Sequence, residues 1–139
     1  MPFFNRIAIL GPGLLGASLG MAIRKREISK SIRVWARKQS SLQKCKEEVW
    51  CDEISSSLEE AVNACDLVVV CTPIKHIEET LRKIIPKCSE DTIITDVGSV
   101  KGSICKVAKE SSSGKRTCFI GSHPMAGSEK SGMENANAE

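Results

Sequence analysis

Aromatic side chains are scarce in this sequence, which contains no tyrosine, three phenylalanines and two tryptophans among 139 residues. Proteins that bind single-stranded nucleic acid stack bases on aromatic rings, so this scarcity argues against that function. Lysine and arginine concentrate between residues 24 and 38, although the formal net charge is only +3. We interpret this basic stretch as a solvated face, with a nucleic-acid patch as the alternative.

Long hydrophobic runs are also missing. The longest uncharged apolar run lies around residues 67–73, far short of the ~20 residues that cross a bilayer. The first residues, MPFFNR, lack the basic region and apolar core of a secretion signal. A hydrophobic fraction of 41% and a charged fraction of 27% are typical of a globular protein. We therefore expect one domain over residues 1–139 and no membrane partner.

Cysteine is plentiful, but its spacing lacks the patterns that carry chemistry. The seven cysteines are odd in number and form no Cys-x-x-Cys pair. This spacing predicts neither a set of disulfides nor a zinc site, and no metal site is expected. Several cysteines fall on apolar stripes, where a reduced thiol packs as a small hydrophobic group. The reducing cytoplasm is the simplest location.

Short apolar runs alternate with amphipathic segments along the chain. The predicted strands are 6–11, 31–36, 66–73, 91–97 and 116–121. The helical stripes between them include Val49, Ile74 and Val100, and Ser57 is placed to cap one helix. Continuously apolar strands that alternate with amphipathic helices predict an α/β fold, a doubly wound parallel sheet in three α/β/α layers. No periodic element follows Gly121, so residues 121–139 are expected to form a functional loop.

Sheets of this kind bind ligands at the carboxyl ends of their strands. A GxGxxG motif follows the first predicted strand and opens a helix, which is the context of the dinucleotide fingerprint of the Rossmann fold. The predicted cofactor contacts at this point are Gly11, Gly13, Leu14, Leu15 and Gly16. The helix N-terminus would supply free N–H groups for the phosphates. The alternative is that the glycines serve only a tight turn.

The residues after the second strand discriminate between cofactors. A domain that binds NAD usually has Asp or Glu about 20 residues after the fingerprint. This chain has Ala36, Arg37, Lys38, Ser40 and Ser41 there, with no carboxylate. The two cations can pair with a 2′-phosphate, and the hydroxyls can donate to it. NADP is therefore favoured over NAD, unless Arg37 is only a surface cation.

The third and fourth strands also end in candidate residues. Cys71, Thr72 and Pro73 would run past the ribose and nicotinamide, with a plain helix start as the alternative. Asp96 and Ser99 follow the fourth strand. Ser99 is predicted at a helix N-terminus, where it can cap the helix and also face the nicotinamide.

The chain has two histidines, and they receive different interpretations. His123 lies just past the last strand, in the segment GSHPMAGSEKSG and on the same rim as Ser99. A histidine flanked by Gly, Ser and Pro rather than by core residues is suited to act as a base. His76 lies among Lys75, Glu78 and Glu79 and is assigned no role.

Four blocks of the sequence resemble the prephenate/arogenate dehydrogenase family of tyrosine biosynthesis. They are IAILGPGLLGASLG, VVVCTPI, ITDVGSVKG and, most specifically, FIGSHPMAGSEKSG, and together they span Ile7 to Gly132. The resemblance implies oxidative decarboxylation, in which hydride leaves the ring carbon that bears the hydroxyl, carbon dioxide departs and the ring becomes aromatic. It implies that His123 takes the hydroxyl proton and that Ser99 bridges towards the nicotinamide. It also implies that Ser128, Glu129 and Lys130 line the substrate pocket.

The sequence departs from the family in two respects. Ala36 and Arg37 resemble the members that use NADP, whereas members that use NAD have an acidic residue near position 36. The family also continues into a helical C-terminal domain, absent here, that forms a homodimer and supplies an arginine for the substrate carboxylate. We therefore expect this chain to bind cofactor but to turn over poorly. Another NADP-dependent dehydrogenase or reductase and a non-catalytic NADP-sensing module stay open as alternatives, as does the choice between prephenate and arogenate.

Overall fold

A computed structural model describes residues 1–124 and 130–139, which form a parallel six-stranded sheet with helices on both faces. The strands are β1 (Phe4–Leu10), β2 (Ser29–Trp35), β3 (Glu53–Ser55), β4 (Leu67–Val70), β5 (Ile93–Asp96) and β6 (Cys118–Ile120). The helices are α1 (Leu14–Lys25), α2 (Gln39–Lys46), α3 (Leu58–Val62), α4 (Ile74–Ile84) and α5 (Gly102–Ser111). The strand order is β3-β2-β1-β4-β5-β6, and every pairing is parallel. The predicted doubly wound α/β fold is confirmed.

The central strand β1 shows why its sequence is continuously apolar. Ile7, Ala8, Ile9 and Leu10 have no exposed surface. Successive side chains point to opposite faces of a sheet, so Ala8 and Leu10 join the core on one face while Ile7 and Ile9 join the core on the other. A parallel sheet that is covered on both faces therefore needs apolar residues at every position of this strand.

The helices divide between the two faces. Residues of α3, α4 and α5 build the first core, and residues of α1 and α2 help to build the second. Ser57 caps α3 by accepting a hydrogen bond from the backbone N–H of Glu60, as the sequence predicts. In the part of the chain that the structure describes, no helix is both long enough and apolar enough to cross a membrane.

Three residues predicted on helical stripes are exposed instead, so these predictions are wrong. Val49 is 91% exposed because α2 ends before it, at Lys46. Val100 is 53% exposed because α5 begins only at Gly102. Ile74 is 45% exposed at the first position of α4. Helix ends are set by local capping and turns, which an apolar period does not define.

The sheet has one strand that the sequence analysis missed. Strand β3 has three residues and pairs with β2 at the edge of the sheet, Val34 lying opposite Ile54. It contains Glu53 beside a single large apolar residue, so it gives no apolar run. Trp50 precedes β3 and is buried against Gly20 of α1. A Cβ added to Gly20 would lie 2.2 Å from the indole ring.

Part of the basic stretch is paired within the domain. Arg24 forms an ion pair with Asp52, and Arg33 donates from Nε to the Glu53 carboxylate at 2.8 Å. Both acidic partners lie at or beside β3. These arginines therefore fasten the edge of the sheet as well as carrying charge at the surface.

The C-terminal segment returns to α1. It contains a short 3-10 helix at Met133–Asn135, and Met133 is buried in the second core. The backbone N–H of Asn137 donates to Ser18 Oγ at 2.9 Å. This segment therefore runs close to the helix that follows the first glycine-rich turn.

Candidate functional site

A cavity of about 780 Å³ opens at the carboxyl edge of the sheet. It is lined at the ends of β1, β2 and β4, and also by the loop after β5 and the segment at residues 130–134. The chain leaves β1 in one direction to reach β2 and β3 and then crosses back to β4. The cavity therefore lies where the strand order reverses, which is where open α/β sheets bind their ligands.

The glycine-rich turn after β1 has two close approaches, at Gly11 and Gly16, and one open position, at Gly13. Gly11 has φ +104° and lies so near the Cys71 backbone that an added Cβ would be 2.8 Å from its carbonyl carbon. A Cβ on Gly16 would lie 2.1 Å from the Gly11 carbonyl oxygen. Gly13 has no atom within 4 Å of its own Cβ position, so its backbone faces open space. The turn is tight towards the protein and open towards the cavity.

The N-terminus of α1 has unused hydrogen-bond donors. Gly13 is its N-cap residue, no side chain caps the helix, and its first turn has no acidic residue. Gly13, Leu14 and Leu15, which stand at this end of the helix, line the cavity. A helix end of this kind binds an anion through its N–H groups and its partial positive charge.

The end of β2 is cationic. Arg37, Lys38 and Lys44 line the cavity together with Ser41 and the buried Ala36. Ser40 is exposed and lies outside the lining. Among the described lining residues the one carboxylate is Glu134, which belongs to the C-terminal segment and not to the second strand end.

His76 lies at this cationic end, although the sequence analysis assigned it no role. Its side chain is half-buried and lines the cavity. Arg37 Nη1 lies 3.3 Å from Nδ1 of His76 and makes a closer contact with Nε2. The available signal was its place in the first turn of the helix after β4, since side chains there face the same rim as the strand end.

The end of β4 offers one hydroxyl that lacks a partner. Thr72 is buried in the cavity lining, and its Oγ1 has no hydrogen-bond partner among the described residues. Cys71 lines the cavity beside it. Burial, and then the negative charge of Asp96, raise the pKa of the Cys71 thiol to about 12. The thiol is therefore protonated at neutral pH and does not serve as a nucleophile.

The loop after β5 brings Ser99 to the cavity, where it is exposed in the lining. The prediction that Ser99 caps the next helix is wrong, because α5 begins at Gly102 and its N-cap residue is Lys101. The position of Ser99 is determined by the loop and not by the helix. Its hydroxyl is therefore available to a ligand.

Asp96 connects the ends of β5 and β6. It is fully buried and lies outside the cavity lining. Its carboxylate accepts hydrogen bonds from the backbone N–H groups of Gly98 at 2.9 Å and Ser122 at 3.2 Å, and it pairs with Lys101. This carboxylate fixes both loops that carry the predicted catalytic residues, whereas its predicted contact with the cofactor stays a prediction.

His123 follows Ser122 at the end of the edge strand and is exposed. Ser122 is held from a second side by a 2.8 Å hydrogen bond between its Oγ and Thr95 Oγ1. His123 is not among the cavity-lining residues, while Lys130 is. The predicted substrate contacts Ser128 and Glu129 lie outside the described residues.

Comparison with known proteins agrees with this geometry. Residues 19–139 match the family model of the prephenate dehydrogenase nucleotide-binding domain. The chain is 28% identical to a cyclohexadienyl dehydrogenase of Zymomonas mobilis, over all of this chain and 47% of that protein. A solved arogenate dehydrogenase of Synechocystis is 37% identical with a TM-score of 0.83, over 95% of this chain and 45% of that one.

A second solved structure, prephenate dehydrogenase of Aquifex aeolicus in complex with hydroxyphenyl propionate and NAD+, is 31% identical. Its TM-score is 0.85, over 96% of this chain and 46% of that one. The chain thus spans less than half the length of each of these relatives.

Proposed function

This chain belongs to the prephenate dehydrogenase family through its nucleotide-binding domain, and we propose that it serves the oxidative decarboxylation of prephenate or arogenate with NADP+ as the hydride acceptor. The observation that carries the proposal is the cavity itself. It joins an uncapped helix N-terminus, a cationic second strand end and the loop of Ser99 at one opening. A small anionic substrate and a dinucleotide both find donors there.

The described residues fit a bound dinucleotide. The open side of Gly13 and the N-terminus of α1 provide backbone donors for a pyrophosphate. The Thr72 hydroxyl is a buried polar group that still needs a partner, and leaving such a group unpaired costs about 1–3 kcal/mol. A ribose hydroxyl at that point would satisfy it.

The proposed preference for NADP+ rests on charge. Arg37, Lys38 and Lys44 line the second strand end, and a 2′-phosphate brings a dianion that these cations attract. The relative from Aquifex aeolicus is described with NAD+, so NAD+ is the alternative acceptor. A carboxylate at the second strand end, which would favour NAD+ by binding ribose hydroxyls, is not among the described lining residues there.

The proposed chemistry needs few groups from the protein. His123 takes the proton of the substrate's ring hydroxyl as hydride leaves the carbon that bears it. Ser99 orients that hydroxyl, and Lys130, with Ser128 and Glu129, contacts the substrate. When bound, NADP+ supplies the hydride acceptor. Loss of carbon dioxide then makes the ring aromatic, which drives the reaction. The main task of the protein is therefore to orient the substrate carbon that gives up hydride towards the hydride acceptor.

The test replaces His123 with asparagine in a full-length enzyme that contains this domain, where turnover is measured, and in this chain, where cofactor binding is measured. We expect the rate of NADPH formation with prephenate or arogenate to fall by about 10²–10⁴-fold, the usual worth of a general base. Affinity for NADP+, measured by calorimetry, should change by less than about twofold, which corresponds to about 0.4 kcal/mol of binding free energy. An unchanged rate in His123→Asn would show that His123 is not the base.

Two other functions make different predictions in the same assay. A different NADP-dependent dehydrogenase would bind the cofactor and reduce it with neither prephenate nor arogenate. A non-catalytic NADP-sensing module would bind NADP+ and show no turnover with any 2-oxo or 2-amino acid of this class. We also propose a dimer in the full-length enzyme and a location in the cytoplasm, which suits seven unpaired cysteines.

A further inference from the structure

Two side chains from different strand ends meet at the cationic end of the cavity. Arg37 follows β2, and His76 lies in the first turn of α4, which follows β4. They are 39 positions apart in the chain, yet Arg37 Nη1 contacts both ring nitrogens of His76. Both residues line the cavity. The contact therefore spans the width of β1, which separates β2 from β4.

The chemistry of this contact assigns the role of each partner. A guanidinium is charged at every accessible pH and only donates hydrogen bonds. The imidazole must therefore accept through an unprotonated nitrogen. A free arginine side chain has many rotamers and loses them when it is fixed on a ligand, and the contact with His76 removes part of that freedom before any ligand arrives. In the described part of the chain Arg37 has no carboxylate partner, and it lines the cavity, so its guanidinium can meet an anion there.

The surrounding charges leave this end of the cavity positive. Lys38 and Lys44 lie on the lining near Arg37. Glu78 and Glu79 follow His76 in α4 at two and three positions and lie outside the cavity lining, and Glu79 accepts from Lys83 Nζ at 2.7 Å. This hydrogen bond with Lys83 is the main cause of the lowered pKa of Glu79. The Glu79 carboxylate is thus already paired with a lysine of its own helix.

We propose that His76 is a positioning residue that sets cofactor specificity, by holding the Arg37 guanidinium ready for the phosphomonoester on the 2′-position of an adenosine ribose. The inference rests on the proposed use of NADP+. It predicts that His76 contributes to the binding of a 2′-phosphorylated nucleotide and contributes little to the same nucleotide without that phosphate.

His76 is well placed for a clean substitution. Its backbone N–H donates to the Pro73 carbonyl at 2.8 Å in an ordinary helical turn, and its side chain is not part of either core. Alanine is the best helix former, so His76→Ala should keep α4 intact. Glutamine offers a carbonyl oxygen that can accept from Arg37, so His76→Gln should restore part of the function.

The experiment compares two fragments of the cofactor, 2′,5′-ADP and 5′-AMP, which differ only in the 2′-phosphate. Dissociation constants are measured by calorimetry for this chain and for His76→Ala, His76→Gln and Arg37→Ala. We expect His76→Ala to weaken 2′,5′-ADP by about tenfold, the worth of one charge-assisted contact of about 1.4 kcal/mol. Affinity for 5′-AMP should stay within about twofold, and His76→Gln should recover a part of the loss.

A matched control comes from the same turn of α4. Lys75 is exposed and lies outside the cavity lining, so Lys75→Ala tests for a general effect of helix charge. We expect this variant to keep the ratio of the two affinities. An equal loss in Lys75→Ala and His76→Ala would overturn the positioning role, because it would reveal only long-range attraction.

The outcomes separate this inference from the proposal on which it rests. Loss of the 2′,5′-ADP preference in Arg37→Ala but not in His76→Ala would keep NADP+ and overturn the role of His76. Tighter binding of 2′,5′-ADP by His76→Ala would also overturn it, since His76 would then compete with the phosphate. Equal affinity of the unmodified chain for both fragments would overturn the NADP+ preference and this inference together.

Discussion

At the scale of single residues, the cysteines differ most in what surrounds them. Cys45, Cys65 and Cys88 are buried, Cys51 and Cys71 are half-buried, and Cys105 and Cys118 are exposed. Burial is the largest cause of a raised pKa in five of them, to about 12 for Cys45, Cys71 and Cys88 and to about 11 for Cys51 and Cys65. These thiols act as small hydrophobic groups that must keep their protons.

This burial predicts a loss of stability in alkali. The folded state keeps its thiol protons up to pH values well above the unfolded value of 9.0. Unfolding therefore releases protons between about pH 9 and 12, so stability is fully present below about pH 9 and falls as pH rises from there. Thermal unfolding measured from pH 7 to 10.5 should show a constant Tm up to about pH 9 and a decline above it.

The chain has no tyrosine, but its lysines titrate near this range, so the thiol contribution is isolated by comparing two cysteine variants that have the same lysines. Cys88→Ala should flatten the alkaline decline, while Cys105→Ser, at an exposed position, should leave it as it is. A decline of the same slope in both variants would show that the buried thiols are not its cause.

Single residues also show how far the site could be predicted from the sequence. The place of Gly11, Gly13 and Arg37 on the cavity could be predicted because it depends on local position, directly after a strand. His76 was missed because its partner is 39 positions away and the direction of a side chain is not written in its neighbours. Ser99 reaches the cavity as expected, but the capping role failed because a turn separates it from α5.

At the scale of secondary-structure elements, the N-terminus of α1 is the part of the site most open to a test. Gly13 has φ −77°, which any residue adopts, and no atom lies within 4 Å of its Cβ position. Gly13→Ala should therefore fold, at a cost of no more than about 1 kcal/mol for the changed N-cap. The new methyl group would stand where a pyrophosphate approaches, so affinity for NADP+ should fall by about tenfold or more, measured by calorimetry.

Gly102→Ala is the matched control for this variant. Gly102 is the first residue of helix α5, as Gly13 is the N-cap residue of α1, and its Cβ position is equally open. It lies outside the cavity lining, so its replacement should leave the affinity unchanged. If Gly13→Ala binds NADP+ as well as the unmodified chain does, the cofactor does not cross the glycine turn.

Elements were predictable where burial dictates a long apolar run. β1 and β4 follow this rule, while β2, β5 and β6 were predicted from shorter apolar runs, and the order of these strands along the chain was enough to predict the doubly wound sheet. β3 escaped because only one of its three residues, Ile54, is apolar, whereas β6, which is as short and also lies at an edge, consists of Cys118, Phe119 and Ile120. Helix ends were the weakest part, since Val49 and Val100 continue an apolar period beyond the turns that end it.

At the scale of the whole molecule, one geometric fact organises the site. All strands are parallel, so the carboxyl ends of all of them lie at the same edge of the sheet. Residues from five distant parts of the sequence therefore reach one cavity or its rim. The C-terminal segment adds to this edge by packing Met133 against the second core and placing Lys130 on the lining.

The central claim is that this edge binds NADP+ in preference to NAD+, and titration calorimetry of this chain with each dinucleotide tests it most directly. We predict one site per chain and tighter binding of NADP+ by about tenfold or more, because Arg37 and Lys38 would attract the 2′-phosphate at a cavity end where the described lining residues include no carboxylate. Tighter binding of NAD+ would contradict the role of Arg37, and binding of neither would contradict the assignment of the cavity.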